Sequence, residues 1–431
     1  MDGAYHNTNI NWHFNKALDI SEQSKPLISY TWDGAHIIEL AGKKSRGQFG
    51  RDQVITVPWI KETFDEIAAS KSSYGRGKNW VAINDVSVLD RTAQSVEGEA
   101  ANAEDVEHVQ QGKVRKFQSF SNTRFTTYSH RALSVFRNNF RPNVLAMEAM
   151  NDPGVRRMRE APLILRTSGL EDFYDEVGKA STRLQSTRLY SWSTNEIMDE
   201  CVATLNGMAN DLDSENFSPS LQSFYGTVDE VRSKQRYSGI KLTPKNDGTT
   251  TEEAFNADIA MVRNELAENI RVFSNDLSSR VEKATPSISK LSRESFSYAA
   301  IRHRGSTVPE EFHTLASMHQ AAGYLDESCT REQLDGEYRK FLDTVSHDAD
   351  SIRSQGLTKR QRKLKMTTEE AIYSTMFVSP TKTESFRNVA HLLSRTAAQS
   401  SCEAVTEVKY FYLNPYSLLL IQKDLSKNCS L

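Results

Sequence analysis

Between Thr251 and Ala284 the chain sets Phe255, Ile259, Val262, Leu266, Ile270, Phe273, Leu277 and Val281 at steps of 4, 3, 4, 4, 3, 4 and 4 residues. A strand alternates faces every second residue, so this spacing is the stripe of one α-helix. Thr250 and Glu253 have the spacing of a capping box at its start, and Pro286 closes it. Some 30 residues at 1.5 Å each span about 45 Å. A stripe of that length must be covered along its whole run. The helix is therefore expected to be the spine of a helical domain, and its drift from strict heptads argues against a coiled coil.

The flanking sequence offers partners for that spine. Thr194 can cap a helix carrying Ile197, Cys201, Val202, Leu205 and Met208. Pro309 begins one with Phe312, Leu315, Met318 and Ala322. Thr330 and Gln333 cap another with Leu334, Tyr338, Phe341 and Val345, and Phe386, Val389 and Leu393 mark a last one. The N-terminal part is more mixed. Val54, Ile55, Thr56 and Val57 form a β-branched run, and Pro58 then opens a helix with Trp59, Ile60, Phe64 and Ile67 on one face. Residues 80–83 and 86–89 resemble strands broken at Asn84-Asp85, and Arg91 to Gly112 is a polar, acidic loop or projection. Residues 404–413 have strand composition, ended by Asn414-Pro415. The expected fold is mainly α with minor β, in three regions. Residues 1–112 are a mixed α/β region ending in the acidic loop, 113–240 a basic, aromatic and mainly helical region, and 249–431 a helical region with the spine and a C-terminal strand.

Several classes of function find no support. Apolar residues are 38% of the 431, enough for a sizeable core, which excludes wholesale disorder. The N-terminus shows no secretory pattern and no run of about 18 apolar residues exists, so neither a signal peptide nor a membrane span is expected. Cys201, Cys329, Cys402 and Cys429 lie far apart, as reduced, mostly buried thiols of a cytosolic protein do. Gly42-Lys43-Lys44-Ser45 lacks the preceding glycine of a phosphate-binding loop, and Gly75-Arg76-Gly77-Lys78 reads as a basic turn. Asp348 and Asp350 could hold a metal but read as solvent-facing charge beside a helix end. His313 and His319, six apart, face different ways. No nucleophile, dinucleotide, zinc-protease or polymerase motif is present. The expectation is a protein that is not an enzyme, with no cofactor and no metal.

One positive signal remains, and it is charge. No Asp or Glu occurs between Glu107 and Glu148, while Lys113, Arg115, Lys116, Arg124, Arg131, Arg137 and Arg141 lie inside that gap. The other 46 basic residues face all 56 acids, so the belt is +7 and the remainder −10. Phe117, Phe120, Phe125, Tyr128, Phe136 and Phe140 interleave the cations. Phosphates attract such a surface, absent carboxylates help as much as added cations, and aromatic faces stack on unpaired bases. The same aromatics also suit a helix core, and both readings stand. On the first, charge reversal at Arg131, Arg137 and Arg141 lowers RNA affinity without unfolding the chain. A second cluster, Lys359, Arg360, Arg362 and Lys363 with Lys365, follows Gly356. It reads as a flexible basic loop that contacts RNA or an acidic neighbouring subunit, as a nuclear import signal, or as a plain solvated loop.

A mid-sized, helix-rich, nearly neutral chain with segregated basic patches and no catalytic motif resembles, in length and character, the capsid protein of partitivirus-type double-stranded RNA viruses of fungi and plants. That resemblance implies a large helical shell-type domain with a projecting region, and dimers that close into an icosahedral shell around an RNA genome. The implied partners are further copies of the chain, the RNA genome and a viral polymerase, and not a membrane. The implied locations are the virion and the host cytoplasm. The first alternative is a nucleoprotein gripping the single-stranded RNA of a negative-strand virus, with the two basic clusters as cleft walls. The second is a cytosolic enzyme whose site is invisible in sequence, and a host scaffold protein is a third.

Overall fold

The computed structural model describes residues 34–48, 54–75, 125–185, 190, 192–284, 287–326, 328–364 and 366–397. The strands expected at 80–89, the acidic loop and the C-terminal strand lie outside them. The described chain is mainly α, and its only sheet among the described residues is a two-stranded antiparallel hairpin. The residues group into two compact units: Ile38–Thr182 with Asp199–Ser279, and Met1–Ile37 with Arg183–Met198 and Arg280–Leu431.

The first unit, the long-helix unit, contains all or most of nine helices and the hairpin. They are α1 (Gly34–Ser45), α2 (Pro58–Gly75), α3 (Phe125–Asn138), α4 (Phe140–Ala149), α5 (Val155–Met158), α6 (Ala161–Leu184), α7 (Ser193–Ser214), α8 (Gln222–Lys234), β1 (Arg236–Tyr237), β2 (Ile240–Lys241) and α9 (Thr251–Ala284). Helix α9 is the expected spine, 34 residues long. Its capping box is made: Thr250 Oγ1 accepts from the Glu253 N–H at 3.2 Å, and the Glu253 carboxylate accepts from the Thr249 and Thr250 N–H groups at 3.1 and 3.3 Å. All eight residues of the apolar stripe are buried, each contributing about 1.5–3 kcal/mol. Helix α6 packs closely on it, because a Cβ at Gly169 would fall 2.1 Å from Leu266 Cδ1. Phe173 meets Phe273 edge-on at 5.2 Å.

Charge pins the same helices. Arg166, 5% exposed, forks onto the two Glu265 oxygens at 2.8 Å each and reaches Glu62 of α2 at 2.9 Å. Asp172 accepts from the Ser223 and Phe224 N–H groups at 3.2 and 2.8 Å, satisfying the start of α8. Pro58 opens α2 as expected, with Ile60, Phe64 and Ile67 buried. The β-branched run before it is irregular rather than a strand. Gly42-Lys43-Lys44-Ser45 is the last turn of α1 and not a phosphate loop.

In the second unit, the C-terminal unit, lie α10 (Ser287–Phe296), α11 (Tyr298–Ile301), α12 (Glu310–Ala321), α13 (Arg331–Gln355), α14 (Lys359–Lys363), α15 (Thr368–Val378), α16 (Pro380–Thr383) and α17 (Arg387–Ala397). Its core is aromatic: Trp192, Phe296, Phe312, Tyr338, Phe341, Tyr373 and Phe386 are all fully buried. Two of the tyrosines answer the carbonyls that the end of α10 leaves without helical partners. The Tyr338 hydroxyl donates to the Ser295 carbonyl at 2.6 Å, and the Tyr373 hydroxyl donates to that of Phe296. Glu337 of α13 accepts from the Asn388 N–H at 2.8 Å and so caps α17. Thr330 caps α13 by accepting from the Gln333 N–H at 3.2 Å, and Pro309 precedes α12, both as expected. Thr194 does not cap α7; the helix begins at Ser193 and Thr194 is buried within its first turn. Of the four cysteines, Cys201 and Cys329 are buried and in no disulfide, and the other two lie outside the described residues.

Candidate nucleic-acid interface

The stretch after Gly356 is not the flexible loop that its composition suggested. Helix α13 ends at Gln355, and Gly356 turns the chain with φ 73°, a conformation that favours glycine. Thr358 then starts the short helix α14 with a complete capping box. Its hydroxyl accepts from the Gln361 N–H at 3.3 Å, and the Gln361 side chain accepts from the Thr358 N–H at 2.8 Å. No residue of α14 is buried. Lys359, Arg360, Arg362 and Lys363 are all exposed, and none has an ion-pair partner among the described residues. Lys365 lies outside them.

The carboxylates that flank α14 in sequence are engaged elsewhere. Glu370 accepts from the Thr367 N–H at 2.8 Å in the capping box of α15. Glu369 turns inward, accepting from Trp192 Nε1 at 3.1 Å and the Tyr298 N–H at 2.8 Å. Upstream, Asp350 holds Arg353 at 2.9 Å, and Asp348 holds Lys382 of α16 at 2.8 Å. Asp348 is only 13% exposed, which corrects its reading as solvent-facing; Asp350, at 70%, does face solvent. The positive charge of α14 is therefore uncompensated locally.

The belt at 113–141 has a different fate. Lys113, Arg115, Lys116 and Arg124 lie outside the described residues, as do Phe117 and Phe120. Arg131 is exposed on α3. Arg137, one turn and a half further on, pairs with Glu171 of α6 and donates through Nε to the Tyr237 hydroxyl at 3.1 Å. Burial opposes its charge, but Tyr237 and Glu171 outweigh that and hold its pKa above the ordinary arginine value. Arg141 donates to the Ser238 carbonyl at 3.2 Å, at the turn of the hairpin. Phe136 and Phe140 are fully buried, and Phe140 meets both Phe136 and Tyr237 edge-on. For Phe136 and Phe140 the core reading holds; the side chains of the other four aromatics lie outside the described ones. The expectation that Arg137 can be reversed without unfolding the chain is corrected, since Glu171 would face the new charge. Of the arginines that follow, Arg157 pairs with Glu66 at 3.1 Å and Arg159 pairs with Glu148, while Arg156 is exposed.

Sequence reasoning did not single out Glu369. Burial, with Glu196 adding like charge, pushes its carboxyl up to about 7, although Tyr298, Trp192 and Ser193 all donate to it. Its donors come from two separate stretches of the C-terminal unit, Trp192-Ser193 and Tyr298, and Glu369 ties both to α15. The only trace of it in the sequence is its place beside the capping residues Thr367 and Glu370. Among the described residues no three His, Cys, Asp or Glu side chains are grouped to hold a metal ion, and no helix is long and apolar enough to cross a membrane. No protein-family model, curated protein or solved structure matches the chain.

Proposed function

We propose that the chain is a structural protein of an RNA virus, many copies of which associate into a shell around the genome, with α14 contacting the RNA. The observation behind this reading is the uncompensated cationic surface of α14, four exposed side chains on a capped helical turn whose flanking acids are engaged elsewhere. Phosphates would draw such a surface by counterion release, with no base reading required. Exposed Phe217, Phe377 and Val54, at 67%, 43% and 60%, offer apolar points for association between copies. The nucleoprotein reading needs cations and stacking aromatics in the belt, and there Arg137, Phe136 and Phe140 serve the core. The shell reading asks only for a modest cationic contact.

Sedimentation velocity and electron micrographs of the expressed chain test the proposal. Closed particles containing RNA are expected. A clean monomer at high concentration overturns the shell role. Particles whose RNA content is unchanged when Lys359, Arg360, Arg362 and Lys363 are all replaced by Ala remove α14 from it.

A further inference from the structure

A further cluster, built around Arg395, lies in the C-terminal unit, at the end of α12 and on α17. The Arg395 Nε–H donates to His391 Nε2, one turn earlier, at 2.8 Å. The guanidinium carbon lies 4.2 Å from the centre of the Tyr324 ring. One edge and one face of Arg395 are thus fixed, and no carboxylate pairs with it among the described residues. Tyr324 is 43% exposed. Its ring centre is 6.1 Å from that of His319, which is 2% exposed and has neither ring nitrogen hydrogen-bonded.

A buried imidazole with both nitrogens unmet is costly, and proteins seldom leave one so. The groups acting on His319 are Arg395 and His391 from α17, with Tyr324 beside it; no carboxylate is among them. Burial, then Arg395 and His391, push its pKa down to about 4, so the ring is neutral at pH 7. The cluster holds an oriented guanidinium fork, a buried neutral imidazole and a phenol, and among the described residues no negative charge pairs with it.

We infer that Arg395, His319 and Tyr324 form a binding site for a phosphate-type oxyanion, either free phosphate or a phosphomonoester. A preorganised arginine matches two phosphate oxygens at once. A bound dianion would supply the missing counter-charge and the missing acceptor for the His319 N–H. It would also reverse the field at the imidazole and favour its protonation.

The test measures thermal unfolding and histidine ring NMR signals of the full chain at pH 7, in sodium phosphate against sodium chloride of equal ionic strength. Ribose 5-phosphate against ribose forms a second pair and separates a monoester site from one for free phosphate alone. Saturable stabilisation by phosphate and movement of the His319 signals are expected, with at least a tenfold loss of affinity in Arg395→Gln. Arg395→Lys, which keeps the charge and loses the fork, is expected to bind several-fold more weakly than the native chain and serves if the glutamine variant does not fold. Equal stabilisation of native and variant chains, or His319 signals that phosphate leaves unmoved, overturns the proposal.

Discussion

The two basic clusters of this chain look alike as sequence and differ as structure. At α14 four exposed cations sit on a capped turn, without an ion-pair partner among the described residues and with the flanking carboxylates engaged elsewhere, so their charge is presented to solvent. In the belt the forty residues without an acid suggested the stronger surface, yet at α3 Glu171 arrives from α6 and takes Arg137 into a largely buried pair. A gap in the sequence removes only local carboxylates. Whether a cation is free depends on acids that packing delivers from tens of residues away.

The largest effect that separates the two regions is on stability. Arg137→Met strands Glu171 and removes the partner of the Tyr237 hydroxyl, and is expected to cost about 3 kcal/mol in urea unfolding. The fourfold Ala variant of α14 is expected to stay within about 0.5 kcal/mol of the native chain. A similar loss in both would erase the distinction drawn here.

In binding the ranking reverses. The α14 variant is expected to lose most affinity for a short RNA duplex and to flatten the dependence of log K on log salt by about 3.6, for four phosphate contacts at about 0.9 each. Arg131→Glu is expected to change the slope by less than one contact, read by fluorescence anisotropy across a salt series.

A third effect concerns pH. Glu369 has its folded pKa raised to about 7 from an ordinary 4.5. The folded state therefore holds the proton more tightly, and the resulting stability is full below about pH 4.5 and is lost as pH rises through 7. Glu369→Gln, whose amide keeps an acceptor for Trp192 and Tyr298, is expected to be more stable than the native chain at pH 8 by about 2 kcal/mol. It is expected to show a flatter stability profile between pH 5 and 8. A native-like profile in the variant would place the titration elsewhere, with Asp172 the next group to examine, since burial raises it to about 6.

The smallest effect sharpens the account of α14 itself. Thr358→Ala removes one half of its capping box and should cost about 1 kcal/mol of local order. A two- to threefold weaker RNA affinity is expected, with global unfolding unchanged. No change in affinity would mean that the cations act without being held on a helix.

Much of the fold was legible in the residues. The spine helix starts where Thr250 and Glu253 place its cap, and all eight of its stripe residues are buried. Thr330, Pro309 and Pro58 likewise mark real helix starts. These features act within three or four residues, through caps and helical periodicity, so the chain states them directly. Thr194 misled because Ser193, one residue earlier, also begins a helix well, and local signals do not resolve a one-residue choice.

The candidate site was legible only as composition. The sequence named Lys359, Arg360, Arg362 and Lys363, but not that they stand on a helix or that Glu369 and Glu370 turn away from them. It could not show that Arg137 meets Glu171, that Asp348 meets Lys382, or that His319 lies buried beside Tyr324 near Arg395. By itself the sequence determined the helices, their caps and the faces they bury, because those follow from neighbours along the chain. Tertiary structure alone decided which charges remain uncompensated, because Coulomb attraction and desolvation depend on distance in space, and residues far apart in sequence set that distance.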